Sequence, residues 1–374
     1  MKHLYWLDHL ETADRALVGE KAWNLGQLQQ QGYPVLPGYV IPPQPLQDWL
    51  EQHSDFRGSN LSAADLEFND YRSLQRVAQD YRQALLSATL PEAALDAWMS
   101  AAESWQAPAL MVRASLSLPA EVALDVTGLF PAQVCWPCPA ALAKALKQAW
   151  GNLFCARNLL FWQKAGLDPS QLRLALLVQP CQAAIASGRV LWRNGKVWLQ
   201  AVPGLGHSLV RGEVLPDCYQ FDPVTGNLEA RQVGNQSLAY HLRTDRGGHC
   251  LEAHWLPETP LAPILEENWL EALLSLCQRL GKSPLKRLEW TLSVLPTPGK
   301  LYLTQAIFQF LGRRTVDSAA APTNPASPLL RGLGASPGIA RAPAHILSGA
   351  AQHLQTIPAG CILVARHLTP DWLP

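Results

Sequence analysis

Hydrophobic positions change their spacing several times along the chain, and each change marks an element. Ala22, Leu25 and Leu28 recur at helical spacing directly after a turn containing Gly19, so a helix is predicted that opens close to Lys21. Pro34-Val-Leu-Pro-Gly38 closes it, and Tyr39-Val-Ile41 reads as a short strand before Pro42 and Pro43 break the pattern. Helices are expected over about 46–52, 66–86, 91–104 and 140–165, with a polar loop over 53–62. The stripe Trp150, Phe154, Arg157 and Trp162 gives the 140–165 helix a mostly core-facing side. The run Leu174-Ala-Leu-Leu-Val-Gln179 is apolar without interruption, as in a strand buried on both faces. Val190-Leu-Trp and Val197-Trp-Leu form a hairpin turned by Asn194-Gly195, and Asp222-Pro-Val-Thr-Gly226 is a turn between strands. A helix over 266–280 packs through Leu270, Leu273, Leu274, Cys277 and Leu280. Leu288-Glu289-Trp-Thr-Leu292 and Leu301-Tyr-Leu-Thr-Gln305 then pair around Pro296-Thr-Pro-Gly299, and two further strands lie near 344–347 and 361–365.

Candidate chemistry sits at the ends of these elements. Lys21 falls in the first turn of its helix, where the dipole disfavours a cation and the free N–H groups attract anions; a bound phosphate would make sense of it, although such lysines are more often solvated surface groups. Ala109-Leu-Met-Val-Arg113-Ala-Ser115 ends an apolar run in an arginine followed by small residues. A guanidinium held there offers a planar fork to phosphate oxygens, or equally an ion-pair partner. Glu289 and Gln305 are expected to face the same way across their hairpin, as oxygen ligands for Mg²⁺ or as a cross-strand polar pair. Gly204-Leu-Gly206 lacks the third glycine and the βαβ context of a dinucleotide fingerprint and reads as a flexible loop, and no GxxxxGK[ST] loop is present. Cys135-Trp-Pro-Cys138 has no second CxxC or CxxH behind it, so it reads as incidental.

Composition narrows the class without naming a function. The 374 residues are 48% hydrophobic and 16% charged, enough for a large core and two or three domains. Thirty basic residues balance thirty acidic ones, so the overall charge gives no argument for nucleic acid or an anionic membrane, though a local basic pocket stays open. No apolar run reaches a bilayer-spanning length and the first residues lack a signal-peptide core, so a soluble, cytoplasmic chain is expected. Ala319-Ala-Ala-Pro-Thr-Asn-Pro-Ala-Ser-Pro328 is the clearest linker, and Gly332-Leu-Gly-Ala-Ser-Pro-Gly338 opens a new β-rich unit.

These pieces together resemble the phosphoenolpyruvate synthase (pyruvate, water dikinase) family and its relatives, pyruvate phosphate dikinase and rifampin phosphotransferase. The resemblance rests on Leu17-Val-Gly-Glu-Lys-Ala-Trp-Asn-Leu-Gly26 with Pro37-Gly38, Val112-Arg-Ala-Ser115 with Gly128, and Leu177-Val-Gln179 with Ser187-Gly188. It continues through Gly204-Leu-Gly206, Pro216-Asp217 with Tyr219, Leu288-Glu-Trp290, Leu303-Thr-Gln305, and the segments from Gly332 and Ile362 onward. What it implies is an α+β ATP-grasp domain over residues 1–312, a linker over 313–328, and over 329–374 the beginning of a β-rich swivelling phosphohistidine domain. By the same resemblance Lys21 and Arg113 would grip the phosphates of ATP as the catalytic pair. Gly128, Gln179, Glu289 and Gln305 would complete the nucleotide site, the backbone around Gln179 near the adenine and Glu289 and Gln305 on Mg²⁺. The phosphoryl group would pass to a histidine and then to pyruvate, on domains of a longer chain or a separate partner.

The departures from the family are also legible. Arg287 stands where an acidic residue is usual and Ile307 where an arginine is usual; Leu118-Pro119-Ala120 replaces an Ala-Glu-Asp, and His207 replaces a frequent glutamate. The family's TxxGGxxxHA-type segment is expected soon after Pro374, and His345, His353 and His367 lie outside it. Beside an active phosphotransferase half, the sequence therefore supports a non-catalytic nucleotide-binding or interaction module, or an antibiotic-phosphotransferase relative.

Overall fold

A computed structural model describes residues 3–52, 71–118, 128–193, 195–245, 247–257, 262–280, 285–294, 298–308, 341–347 and 360–365, with Leu124, Val126 and Pro358. The chain forms two compact units, Met1–Leu311 and Gly312–Pro374.

The first unit opens with β1 (Tyr5–Trp6), α1 (Arg15–Gln30), β2 (Tyr39–Ile41) and α2 (Gln44–Gln52). After the undescribed 53–70, where the expected polar loop lies, come α3 (Tyr71–Ser87), α4 (Glu92–Glu103), β3 (Ala109–Ser117) and β4 (Gln133–Cys135). Next are α5 (Pro139–Gly151), α6 (Ala156–Lys164), β5 (Arg173–Cys181), β6 (Ala184–Arg193) and β7 (Lys196–Pro203). The short α7 (His207–Arg211) leads to β8 (Asp217–Phe221), β9 (Leu228–Gln232), β10 (Leu238–Leu242) and β11 (Leu251–Trp255). The unit ends with α8 (Glu267–Leu280), β12 (Leu285–Ser293) and β13 (Lys300–Phe308). In the second unit β14 (Ala344–Leu347) and β15 (Ile362–Ala365) pair in parallel; the expected linker lies outside the described residues.

Two antiparallel sheets organise the first unit. One has the order β1-β2-β5-β3-β4, the other β13-β12-β6-β7-β8-β9. Strand β5 explains its own continuous apolar run. Leu174, Leu176 and Val178 enter a core shared with α2 to α6, while Ala175 and Leu177 enter a second core shared with α1, α8 and the six-stranded sheet. Strand β2 divides in the same way, with Tyr39 and Ile41 on one side and Val40 on the other. Period-two alternation between two apolar environments leaves no polar face.

The single helix expected over 140–165 is two. Helix α5 ends at Gly151, a 3₁₀ turn follows over Asn152–Phe154, and Cys155 is extended (φ −68°, ψ 149°) before α6 begins. The fully buried Asn158 bridges the break, its amide donating to Asn152 O (2.6 Å) in the 3₁₀ turn and to Leu129 O (3.1 Å). The Gly204–Gly206 loop is also pinned rather than free: Gly204 N–H donates to Ile185 O and Leu205 N–H to Tyr240 O. The β10–β11 hairpin that receives it carries no strong alternation and was not legible as strands. Among the described residues no helix is long and apolar enough to cross a membrane.

Helix α1 ties the two sheets together. It is broken at Gly19 (φ 75°, ψ 163°), so Glu20 starts a fresh helical segment with Lys21 in its first turn. Ser115 Oγ on β3 accepts the Ala22 N–H at 3.0 Å, acting as an N-cap supplied from another element. At its far end Asn24 donates to Ala306 O (3.2 Å) and Leu303 N–H to Pro34 O (2.7 Å), both contacts to β13. A Cβ at residue 19 would lie 2.2 Å from Ser115 O, and the backbone there is in a region essentially reserved for glycine. Gly19→Ala is therefore expected to destabilise the unit by about 3 kcal/mol or more, and Ser115→Ala by about 1 kcal/mol, both read as falls in the urea midpoint. Equal midpoints for wild type and Gly19→Ala would contradict the close approach.

Candidate functional site

Alternation on β12 separates two sets of side chains. Leu288, Trp290 and Leu292 are buried in the core, whereas Arg287, Glu289 and Thr291 face the other way. Gly188 on β6 makes this possible. It pairs with Trp290, and a Cβ there would lie 2.4 Å from the indole and 1.9 Å from Gln200 O. On the polar face the register sets Glu289 opposite Gln305 on β13 and opposite Arg189 on β6, and Arg287 opposite Ile307. Arg287 Nη2 lies 3.4 Å from Glu289 Oε1, and Arg189 Nε donates to Gln200 Oε1 at 2.5 Å. Ser187 and Thr291 extend the polar stripe with a hydroxyl contact of 3.0 Å.

Arg113 reaches this face from the other sheet. Its guanidinium donates to Thr304 O on β13 and to Gln179 Oε1, and Gln179 donates in turn to Leu36 O at 2.9 Å. Both side chains are buried, and Arg113 Nε has no hydrogen-bond partner among the described residues. Burial pushes the Arg113 guanidinium down to about 10, and the Glu289 charge works against that shift. The Gln179 side chain thus orients the arginine, while the adenine expectation concerns the backbone around it.

Lys21 completes the group from the first turn of its helical segment. It is half-buried by surface area and makes no hydrogen bond or ion pair among the described residues. The surrounding protein nevertheless desolvates its ammonium strongly, and with the repulsion of Arg113 and Arg287 lowers its pKa to about 7 against the attraction of Glu289. Among the described residues, Lys21, Arg113, Arg189 and Arg287 all feel the charge of the Glu289 carboxylate. Such a cluster creates a locally positive potential.

Of the residues singled out from the sequence, Lys21, Arg113, Gln179, Glu289 and Gln305 come together. Gly128 does not join them by any described contact. It sits in a left-handed turn (φ 82°) whose carbonyl accepts from Arg157 at 3.2 Å. Arg189 and Gln200 were missed. The signal for Arg189 was its spacing of two from Ser187, which puts both on the face opposite Gly188. Glu289 and Gln305 offer one carboxylate and one amide oxygen, the carboxylate paired to Arg287 at 3.4 Å; a Mg²⁺ ion at such a pair would take its remaining oxygens from phosphates and water. Among the described residues no three His, Cys, Asp or Glu side chains are grouped to hold a metal. Burial pushes the Cys135 thiol up to about 12, opposite to the lowered pKa of a reactive thiolate.

The pH dependence of Lys21 follows from its depressed pKa. Between about pH 7 and its ordinary 10.5 the folded chain binds fewer protons than the unfolded one, so stability rises with pH across that window. Lys21→Met is expected to remove the slope and to stabilise the unliganded protein at neutral pH by about 1–2 kcal/mol, after allowance for the partial exposure. Urea midpoints at pH 6.5 and 9.5 check this; an unchanged slope in the variant would place the titration elsewhere.

The family model described as pyruvate phosphate dikinase, AMP/ATP-binding domain, matches residues 15–320. A probable phosphoenolpyruvate synthase of Methanothermobacter thermautotrophicus is 25% identical over 402 residues, covering 100% of this chain and 55% of that protein. A second from Archaeoglobus fulgidus is 24% identical, with 99% and 50% covered. The phosphoenolpyruvate synthase of Pyrococcus furiosus is 23% identical, with 100% and 52% covered. The chain thus spans about half the length of these curated relatives. Among solved structures, D-alanyl-alanine synthetase A of Vibrio cholerae aligns over 66% of this chain and 56% of that one at 13% identity, with a TM-score of 0.25, too loose an overlap to bear on the fold.

Proposed function

Because the chain belongs to the pyruvate phosphate dikinase AMP/ATP-binding domain family, we propose that it is the ATP-binding phosphotransferase module of a phosphoenolpyruvate-synthase-like enzyme. The observation that carries the reading is the convergence of Lys21 and Arg113, from a helix start and a strand of different sequence regions, on one cation-rich face. In this proposal residues 1–312 hold ATP, 313–328 link, and 329–374 begin a swivelling domain whose acceptor histidine lies on a longer chain or a partner. The phosphoryl group then moves on to pyruvate, and the module works in the cytoplasm.

Phosphoryl transfer asks for alignment and for neutralisation of charge on the transferred group rather than for covalent chemistry by the protein. Arg113 suits the first task, since Thr304 O and Gln179 Oε1 fix its plane before any ligand arrives. Lys21 suits the second. An ammonium with no hydrogen-bond or ion-pair partner among the described residues gains most from an incoming phosphate, which also raises its pKa and removes the destabilisation it causes in the unliganded protein. Burial of both groups lowers the local dielectric and strengthens their hold on developing charge.

A second reading, a nucleotide-binding module without turnover, is favoured by one observation: Arg287 sits in place of an acidic residue and directly beside the Glu289 carboxylate. Binding separates both from an unrelated function. ATP at 100 times its dissociation constant is expected to stabilise the protein by about 2.7 kcal/mol, read as a raised melting temperature. Lys21→Ala is expected to lose most of that gain. No shift at millimolar ATP would overturn the proposal, and phosphate transfer from ATP to a histidine-domain partner would exclude the second reading.

A further inference from the structure

The polar face of the six-stranded sheet holds two guanidiniums, Arg189 and Arg287, beside the Glu289 carboxylate. Arg189 and Glu289 are direct cross-strand neighbours on β6 and β12, and Arg287 grips the same carboxylate at 3.4 Å. Glu289 is therefore flanked by cations on two sides, with Gln305, a neutral amide, on the third. Arg287 and Glu289 side chains are only 16% and 23% exposed, so the pairing is made in partly desolvated surroundings where a second cation beside the carboxylate would meet strong repulsion. Lys21 and Arg113 bring two more basic groups under the influence of Glu289. Among the described residues the positive groups at this face outnumber the carboxylates, so a polyphosphate would meet guanidinium donors where a divalent cation could otherwise neutralise it.

We propose that Arg189 and Arg287 contact the polyphosphate directly and take over the charge-neutralising part of a divalent cation, so that this site binds a nucleoside triphosphate in its metal-free form. The proposal rests on the ATP-binding reading and adds to it the ionic form of the ligand. Guanidiniums suit the task, because each offers several N–H donors in a rigid plane to the oxygens of adjacent phosphates. On binding, the phosphates replace Glu289 as the partner of Arg287, and Gln200 keeps Arg189 oriented through its bond to Nε.

The test is calorimetric titration of the protein with ATP in excess EDTA and again in excess Mg²⁺. Wild type is expected to bind in EDTA within about threefold of its affinity in Mg²⁺. Arg287→Gln, which keeps much of the side-chain volume, is expected to weaken binding in EDTA by on the order of tenfold or more while the unliganded melting temperature stays near wild type. Arg287→Asp, which sets a second carboxylate beside Glu289, is expected to convert the site to one that needs Mg²⁺. Binding to wild type in Mg²⁺ but not in EDTA would overturn this proposal and leave the ATP reading standing, as would Arg287→Gln binding as tightly as wild type in EDTA. Failure to bind ATP under either condition would overturn both. Should Arg287→Gln lower the melting temperature, Arg189→Lys, which keeps the charge and loses the fork, provides the same comparison in EDTA.

Discussion

The close approach of Gly19 to Ser115 is the contact on which the rest of the first unit depends. A missing Cβ lets the helix start lie against the β3 backbone, and the serine hydroxyl then caps a helical N–H that would otherwise be an unsatisfied donor. Everything that α1 carries inherits its position from this contact: Lys21 in the first turn, the apolar stripe in the core, and the Tyr33–Val35 return that hydrogen-bonds to β13. Two segments nearly a hundred residues apart are thereby set in register, one delivering the lysine and the other, two residues before the serine, delivering Arg113.

Arg113 is the second constraint. A buried guanidinium is costly unless its donors are met, and here a backbone carbonyl from the other sheet and the Gln179 amide meet part of the demand. The same bonds fix the distance between the two sheets at the point where charges gather. Gln179 has a matching role, since it is itself held by Leu36 O next to Gly38, whose lack of a side chain leaves room for it. Packing on both sides of β5 gives the arrangement rigidity, because that strand belongs to two cores at once.

Charge is concentrated at this junction although the chain as a whole is neutral. Strand alternation is responsible: once Trp290 is buried over Gly188, Arg287 and Glu289 must face away, and so must Arg189 and Ser187 on the neighbouring strand. Like charges gathered in a partly desolvated place work against folding, and strongly perturbed groups of this kind cluster at functional sites.

Much of this could be read along the chain. Periodicity determined the strand nature of β5, the hairpins, the helical start at Lys21 and the facing of Glu289 and Gln305, because these depend on local alternation and on glycine and proline at turns. Motifs in order pointed to the family before any contact was known. Other features were decided only in three dimensions. Asn158 bridges the break in an otherwise continuous helical pattern and reaches a carbonyl from a distant loop, and Gln179 became the partner of an arginine 66 residues away. Arg189 and Arg287 acquired meaning only when cross-strand register set both beside one carboxylate. Local sequence specifies which face a side chain takes, whereas the sign and strength of the field it meets are sums over strands that the chain brings together from far apart.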